Sequence, residues 1–263
     1  MELVVGDIGN TFCKIGLINE QKNKIIKVFN LKTKKIKNTN YLKYFFKNKK
    51  FLTKNSFIKK ALFASVVPSV YLLFKTFLKK EFGIMSFDIK DKKIKGIIKI
   101  NINNPHQVGS DRIANASGVS KYYKSNCIII DFGTATTFDV VTKEGIYNGG
   151  VIASGIELSM KNLHESTAQL PLLKIKKTKK IIGKNTLDAM RSGFFWGYLG
   201  LITNIINGIR KETKKNYKLI CTGGLANLFA NFISAKCIVD KNLTIKGIYE
   251  IYKSNKGSLL NDR

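Results

Sequence analysis

Two short motifs constrain this chain more than anything else in it. Asp7-Ile8-Gly9-Asn10-Thr11 and Asp131-Phe132-Gly133-Thr134-Ala135 each follow an apolar run and share the pattern D-x-G-[N/T]-[T/A]. They stand about half a chain length apart, and the elements around them repeat in order. A strand over Glu2 to Asp7 runs into the first motif; strands at Phe12 to Ile18 and Ile25 to Leu31 follow it. A surface helix near Tyr41 to Phe46 is predicted within the Lys/Asn-rich segment Lys32 to Asn55, then a buried strand Ala61 to Val67 and a helix from Pro68 to about Phe82. The plan restarts with strands at Cys127 to Asp131, Ala135 to Val141 and Gly145 to Ile152. Helices near Ser154 to Ala168 and Thr186 to Lys211, the strand Leu219 to Cys221 and a helix to about Phe232 complete it. The repetition predicts an α/β chain built from a duplicated domain, divided as 1–115 and 116–263.

An aspartate that leaves a buried strand into a glycine turn sets a carboxylate beside backbone N–H groups that a phosphate can approach closely. That chemistry suits a Mg-nucleotide. One D-x-G is common in ordinary hairpins; two in matching places carry the reading.

A chain of 263 residues with 44% hydrophobic and 11% aromatic content has enough apolar material for packed cores. The net charge of +29 raises the question of a polyanionic partner. Only four of the 46 basic residues are arginine (Arg112, Arg191, Arg210 and Arg263), and the lysines are spread along the chain. Arginine is the usual reader of bases and phosphates, so the charge fits codon-driven lysine on solvated surfaces and does not predict a specific nucleic-acid partner. Cys13, Cys127, Cys221 and Cys237 are widely spaced, with no C-x-x-C. That spacing predicts neither a zinc site nor disulfides, reads Cys127 and Cys221 as free buried thiols, and points to a reducing cytoplasm. The start Met1-Glu2-Leu3-Val4-Val5 has no signal-peptide pattern. The longest uncharged stretch, Ser192 to Ile209, holds two asparagines and four glycines and reads as a buried helix, with no membrane span expected.

Gly183-Lys184-Asn185-Thr186 has the look of a P-loop ending, but Thr178 and Asn185 stand where glycine and Ser/Thr are needed. Between the two halves lies Asn104-Pro105-His106-Gln107-Val108-Gly109-Ser110-Asp111-Arg112. There a glycine precedes Asp-Arg at a helix start, offering a carboxylate, a guanidinium and free N–H groups together. Alone, this segment would read as an N-cap beside an exposed arginine.

The paired aspartate hairpins and the late turn Thr222-Gly223-Gly224-Leu225-Ala226 resemble the superfamily of actin, acetate kinase and sugar kinases. The resemblance implies two related RNase H-like (actin-like ATPase) domains with mixed sheets and a nucleotide cleft between them. Asp7 to Lys14, Gly109 to Arg112, Asp131 to Thr137, Gly149 to Gly155, Asn185-Thr186 and Thr222 to Gly224 together resemble type III pantothenate kinases, in family order. Such enzymes phosphorylate pantothenate to 4'-phosphopantothenate with ATP, the first step of coenzyme A biosynthesis.

By that resemblance Asp7, Ile8, Gly9, Asn10, Thr11, Phe12, Cys13 and Lys14 would bind ATP, with Asp7 near Mg²⁺ and Lys14 reaching a phosphate; Thr134 would also touch ATP. Asp131 would bind the monovalent cation, K⁺ or ammonium. Gly109, Ser110, Asp111 and Arg112 would hold pantothenate, with Thr186 contacting it across a homodimer interface. Asp111 would be the proton acceptor. An ordinary aspartate is a weak base towards an alcohol, so Asp111 is expected to orient the hydroxyl early and take its proton late. Arg112 would pair with the substrate carboxylate or with transition-state charge.

Two positions depart from the family pattern. Ile102 stands where a tyrosine is usual, and Ser154 where a proline is usual in the glycine-rich segment. His106 reads as a loop residue and His164 as a surface or interdomain one. A transcriptional accessory factor of the same family is the competing reading, since +29 would suit a nucleic-acid binder; Asp111, Asp131 and Thr134 speak for the enzyme. A polyphosphate-hydrolysing phosphatase of the same superfamily would leave Gly109 to Arg112 and Thr186 unexplained.

Overall fold

The computed structural model describes residues 2–49, 58, 60–233 and 236–260. Its first elements are β1 (Glu2–Ile8), β2 (Phe12–Asn19), β3 (Lys24–Lys32), α1 (Thr39–Asn48), β4 (Lys60–Ser65), α2 (Pro68–Phe82), β5 (Met85–Asp88), β6 (Lys99–Ile100) and α3 (Ser110–Tyr122). There follow β7 (Cys127–Phe132), β8 (Ala135–Val141), β9 (Ile146–Ser154), α4 (Ile156–Glu165), α5 (Thr186–Thr213), β10 (Lys218–Gly223), α6 (Ala226–Ala230), β11 (Cys237–Val239) and α7 (Leu243–Leu260). Residues 50–55 of the Lys/Asn-rich segment lie outside the described residues.

The contacts divide the chain into two units. One comprises Met1–Lys99, Asn103–Tyr122 and Asn242–Arg263; the other comprises Ile100–Ile102 and Tyr123–Lys241. The sequence-based boundary at 115/116 falls inside α3, which stays whole in the first unit, and α7 joins it there.

The duplication is visible in the sheets. The first runs β3-β2-β1-β4-β5 and the second β11-β10-β7-β8-β9-β6. In each, the central strand opens an antiparallel meander on one side (β1-β2-β3, or β7-β8-β9) and is followed by a run of parallel strands on the other (β4 then β5, or β10 then β11). This is the expected mixed α/β architecture. Central strands of such sheets are covered on both faces, so β1 reads as a continuous apolar run rather than an alternating one. Val4 and Ile8 face the cluster built with α1 and α2, while Leu3 and Val5 face the one built with α3 and α7. In the second unit Ile128, Ile130 and Phe132 of β7 pack with Phe195, Tyr198 and Ile202 of α5.

Helix α2 begins at Pro68 and ends against Gly83 in the left-handed region (φ 66°), the usual proline-first, glycine-last asymmetry. Helix α7 has no counterpart in the sequence reading. Its apolar residues Ile245, Ile248, Tyr249, Tyr252 and Leu259 follow helical spacing, but Gly247 and Gly257 interrupt the pattern. Gly247 is there for contact: a Cβ would lie 1.7 Å from the Ala114 carbonyl oxygen of α3. On the α3 side, a Cβ on Gly118 would lie 3.0 Å from the Leu243 carbonyl oxygen.

The structure corrects two sequence expectations. Cys221 and Cys237 form a disulfide, with Cα atoms 6.4 Å apart. Their strands β10 and β11 are parallel neighbours, with Leu219 opposite Cys237, an adjacency that spacing along the chain does not reveal. Cys13 and Cys127 are free and buried. The second correction is that α5 is buried on one face only: Ser192, Phe195, Tyr198, Ile202, Ile206 and Ile209 point inward, while Gly193, Gly197, Gly200 and Gly208 are exposed. Among the described residues no helix is long and apolar enough to cross a membrane.

Gly247→Ala is expected to force α3 and α7 apart and cost about 1–3 kcal/mol or more. Thermal melting should fall by several degrees, whereas Gly257→Ala, whose Cβ would meet nothing within 4 Å, should leave the midpoint unchanged or raise it.

Candidate active site

In the first unit, β1 and β2 are antiparallel and meet through the turn Gly9-Asn10-Thr11. The register sets Asp7 opposite Lys14 and Ile8 opposite Cys13, an opposite-charge cross-strand pair beside the turn. Gly9 N–H donates to the Phe12 carbonyl at 3.0 Å, while Asn10, Thr11 and Phe12 are exposed. Thr33 holds this turn from behind: its N–H donates to the Thr11 carbonyl at 3.0 Å and its hydroxyl to the Gly9 carbonyl at 2.7 Å. Sequence reasoning passed over Thr33, and no local motif marks it. The Cys13 thiol lies 3.4 Å from the Thr33 hydroxyl. Burial pushes Cys13 up to about 11 despite that hydrogen bond, and the nearby Asp7 carboxylate adds to the rise. Cys13 therefore shapes the turn and is not a thiolate at neutral pH.

The Gly109 to Arg112 segment is brought to the same end of this sheet. Ser110 is buried, and its hydroxyl donates to the Ser65 carbonyl at the end of β4, 3.1 Å away. Ser65 is the register partner of Ile8, and Val66 N–H donates to the Ile8 carbonyl at 3.0 Å. The start of α3 is thus tied next to the Asp7 hairpin through Ser65, a residue that the sequence reading had only as part of a strand. Asp111 Oδ1 accepts the Arg112 N–H at 2.8 Å, and a Cβ on Gly109 would fall 2.5 Å from that oxygen. Glycine at 109 is what allows the Asp111 carboxylate its place. Asp111 and Arg112 are both half-buried.

In the second unit, the Asp131 hairpin is supported differently. Asp131 sits across from Thr137 of β8 and Thr222 of β10. Gly223 has φ 87°, and a Cβ there would lie 2.7 Å from Asp131 Oδ1 and 2.5 Å from the Phe132 carbonyl oxygen. Gly224 N–H donates to that carbonyl at 3.1 Å, which packs the late turn against the hairpin. Gly155 N–H donates to the Thr134 carbonyl at 3.0 Å, and a Cβ on Gly155 would come within 2.3 Å of the same oxygen. The hairpin is thus buttressed by glycines from two later segments. Behind it, Asp139 is fully buried; its Oδ1 accepts the Tyr147 hydroxyl at 2.8 Å and its Oδ2 the Thr137 hydroxyl at 3.3 Å. This satisfied carboxylate, also missed from sequence, fixes the strand partner of Asp131.

Thr186 is exposed on the first turn of α5, after Asn185, whose side chain accepts the Asp188 N–H at 2.9 Å. Of the two departures from the family pattern, Ile102 sits against β9, where a Cβ on Gly149 would lie 3.4 Å from it, and the Ser154 hydroxyl accepts from Ser159 at 2.9 Å. His106 is exposed in a short 3-10 turn, Pro105–Gln107, and not in an irregular loop, and the His164 ring nitrogen Nδ1 pairs with the Leu170 carbonyl at 2.6 Å.

A family model described as type III pantothenate kinase matches residues 3–208. The chain is 48% identical over 249 residues to the type III pantothenate kinase of Pelagibacter ubique, an alignment covering 94% of this chain and 96% of that one. This chain belongs to the type III pantothenate kinase family. The family's enzyme from Listeria monocytogenes is 35% identical over 258 residues, with 97% and 98% of the two chains covered. Among solved structures, one from Campylobacter jejuni, provisionally described as a Baf family transcriptional activator, superposes with a TM-score of 0.60 at 21% identity. The activator of 2-hydroxyisocaproyl-CoA dehydratase from Clostridium difficile, with bound ADPNP, superposes with a TM-score of 0.55 at 12% identity. These alignments cover 97% and 100% of this chain, and 99% and 98% of those chains, respectively. At such identities they show the actin-like ATPase fold alone.

For this pantothenate kinase family member, no group of three or more His, Cys, Asp or Glu among the described residues could hold a metal ion. Asp7 and Asp131 each offer one carboxylate beside glycine-opened backbone. Single carboxylates of this kind fit hard cations whose remaining ligands are phosphate oxygens, carbonyls or water.

Burial also pushes Cys127 up to about 11, from an ordinary value of 9.0, with Lys218 opposing the rise. Both free thiols therefore hold their protons more tightly in the folded chain. Their contribution to stability is complete below about pH 9 and is lost as pH rises through about 11. Melting temperatures taken across this range should fall more steeply for the parent chain than for the Cys13→Ala/Cys127→Ala double variant.

Proposed function

We propose that the chain transfers the γ-phosphoryl group of ATP to the primary hydroxyl of pantothenate, with Asp111 orienting that hydroxyl and accepting its proton. Family membership makes the chain a kinase and gives pantothenate as its acceptor in coenzyme A biosynthesis. The observation that supports the residue assignment is the tie from Ser110 to Ser65, which sets the Gly109 to Arg112 segment beside the Asp7 hairpin in one unit.

Phosphoryl transfer through a loose transition state needs in-line positioning and positive charge more than a strong base. The Asp111 carboxylate accepts the alcohol's hydrogen bond first and its proton late, as the bond to phosphorus forms. Arg112 neutralises either the pantothenate carboxylate or charge on the transferring group. The Gly9 to Phe12 backbone and Lys14 hold ATP phosphates, Thr134 adds a contact from the second hairpin, and Thr186 contacts pantothenate. Mg²⁺, held by Asp7 together with phosphate oxygens, would supply charge neutralisation on the triphosphate. A monovalent cation, K⁺ or ammonium, would take the Asp131 carboxylate, where Gly223 leaves space that any side chain would fill. With Cys221 in a disulfide, cytoplasmic placement rests on the use of ATP and not on the thiols.

The test is ADP release by the purified chain with ATP, Mg²⁺ and K⁺, with and without pantothenate. Turnover should require pantothenate, and a chain that releases ADP equally without it is not this kinase. Asp111→Asn should lower kcat by orders of magnitude with little change in nucleotide affinity; near-normal turnover would remove Asp111 from its role.

The chain also acts as a homodimer in this reading, and α5 supplies the support. Gly193, Gly197, Gly200 and Gly208 fall on the face opposite Phe195, Tyr198 and Ile202, and a Cβ on any of the four would meet nothing within 4 Å. Packing within the chain does not require these glycines, and each weakens the helix by about 1 kcal/mol relative to alanine. Such a face fits close approach by a second helix. The same unit exposes Ile152 at 63% and Ile182 at 74%. Gly197→Leu is expected to convert the dimer to monomers in sedimentation experiments while leaving the helical content of the monomer intact. A parent chain that sediments as a monomer, or a variant that remains a dimer, would exclude this face.

A further inference from the structure

Strand β5 is the free edge of the first sheet, and a depression of about 570 Å³ lies between it and α2. Three features of that depression point to an anion. The first is charge. Lys75 and Lys79 are one helical turn apart on the exposed face of α2, a like-charge spacing that weakens a helix by a few tenths of a kcal/mol. Lys92 and Lys93, from the loop after β5, line the same depression. Asp91 is the one carboxylate that lines it. Its Oδ2 accepts the Asp88 N–H at 3.3 Å, which turns it towards the end of β5.

The second feature is an unmet hydrogen bond. Ser86 lines the depression and is 6% exposed, yet its hydroxyl has no hydrogen-bond partner among the described residues. The alternation of β5 fixes its direction. Phe87 faces the cluster shared with α7, whereas Ile84 joins the cluster built with α2, so Ser86 points to the α2 side where Lys75 and Lys79 stand. Tyr71 of α2 spends its hydroxyl on the Ser86 carbonyl, at 3.2 Å, and leaves the side chain free. A buried hydroxyl without a partner costs about 1–3 kcal/mol, and such groups are rare in folded chains.

The third feature is the wall. Met85, 38% exposed, lines the depression, with the buried Ile84 behind it on the α2 side. An apolar wall beside a cluster of cations fits a ligand with one charged end and one apolar end.

We propose that this depression binds a phosphate monoester. The lysine ammonium groups and the Ser86 hydroxyl take the phosphate dianion, and Met85, backed by Ile84, takes the apolar part of the ester. Lys75, Lys79, Lys92 and Ser86 have no part in the phosphoryl-transfer machinery assigned above, so the site stands whether or not that assignment holds.

The probe is phenyl phosphate, titrated calorimetrically into the full chain at moderate salt, with inorganic phosphate as the second arm. Saturable binding is expected, tighter for phenyl phosphate than for phosphate. Lys75→Met/Lys79→Met should weaken it by about tenfold or more, as expected for lost charge-assisted hydrogen bonds. Ser86→Ala should weaken it about fivefold and, by deleting an unpaired buried hydroxyl, leave melting of the free chain unchanged or raised. Lys34→Met/Lys35→Met removes the same charge from an exposed segment elsewhere in the unit and should change affinity less than about twofold. Equal loss in the two double variants would reduce the effect to diffuse attraction and overturn the site. Unchanged binding in Ser86→Ala would overturn the role of the hydroxyl, and equal affinity for the two probes would overturn the apolar half of the assignment.

Discussion

The close crossing of α3 and α7 is the constraint on which the first unit depends. Ala114, Gly118 and Gly247 let the two backbones approach until only hydrogen fits at the contact. Such an approach also brings polar groups together. The fully buried Asn115 Oδ1 accepts the Thr244 hydroxyl at 2.8 Å, and a buried amide left unpaired would cost more than the contact gains. From this crossing α3 runs back to its first turn, where Ser110 is tied to β4. The carboxylate at the centre of the proposed chemistry is therefore positioned by a helix whose other side is gripped by α7.

The two hairpins show how duplicated sheets reach similar geometry by different means. In the first, a threonine holds the turn: the Thr33 hydroxyl donates to the Gly9 carbonyl and its N–H to the Thr11 carbonyl. In the second, the work falls to glycines, with Gly155 against Thr134 and Gly223-Gly224 against Asp131 and Phe132. A threonine clamp orders one loop by two hydrogen bonds. Glycine packing orders the other by excluding side chains, and leaves space beside a carboxylate. The difference matches the distinct ligands proposed for the two aspartates, a phosphate-bound divalent ion at one and a monovalent ion at the other.

Much of this was legible in the sequence because local chemistry dictates it. An apolar run ending in D-x-G can hardly be other than a strand leading into a tight hairpin, and Pro68 with Gly83 brackets α2 by backbone conformation alone. What escaped was set by tertiary contact. The glycines of α7 look like helix breakers until the Ala114 carbonyl is seen against Gly247. The glycines of α5 were read as part of a buried helix, yet they lie on its exposed face. Cys221 and Cys237 are 16 residues apart, a spacing that says nothing about parallel strands lying side by side. Ser65 acts through its backbone carbonyl, which any residue type offers, and Thr33 donates to the carbonyls of Gly9 and Thr11 more than twenty positions earlier in the chain, so no local pattern announces either.

The geometry around Asp111 also limits what that residue can do. Its Oδ1 already accepts the Arg112 N–H and lies over Gly109, so one oxygen is committed to holding the side chain still. That leaves Oδ2 to meet an alcohol. A carboxylate fixed in this way gives direction to a hydroxyl more readily than it removes a proton from one, because the alcohol is by far the weaker acid until its bond to phosphorus begins to form. A loose transition state asks for this order of events: alignment early, cations around the transferring group throughout, proton transfer last. In the proposed reaction the small residues around Asp111 would serve that alignment, because Gly109 makes room for the carboxylate and Ser110 anchors the turn without touching the reacting atoms.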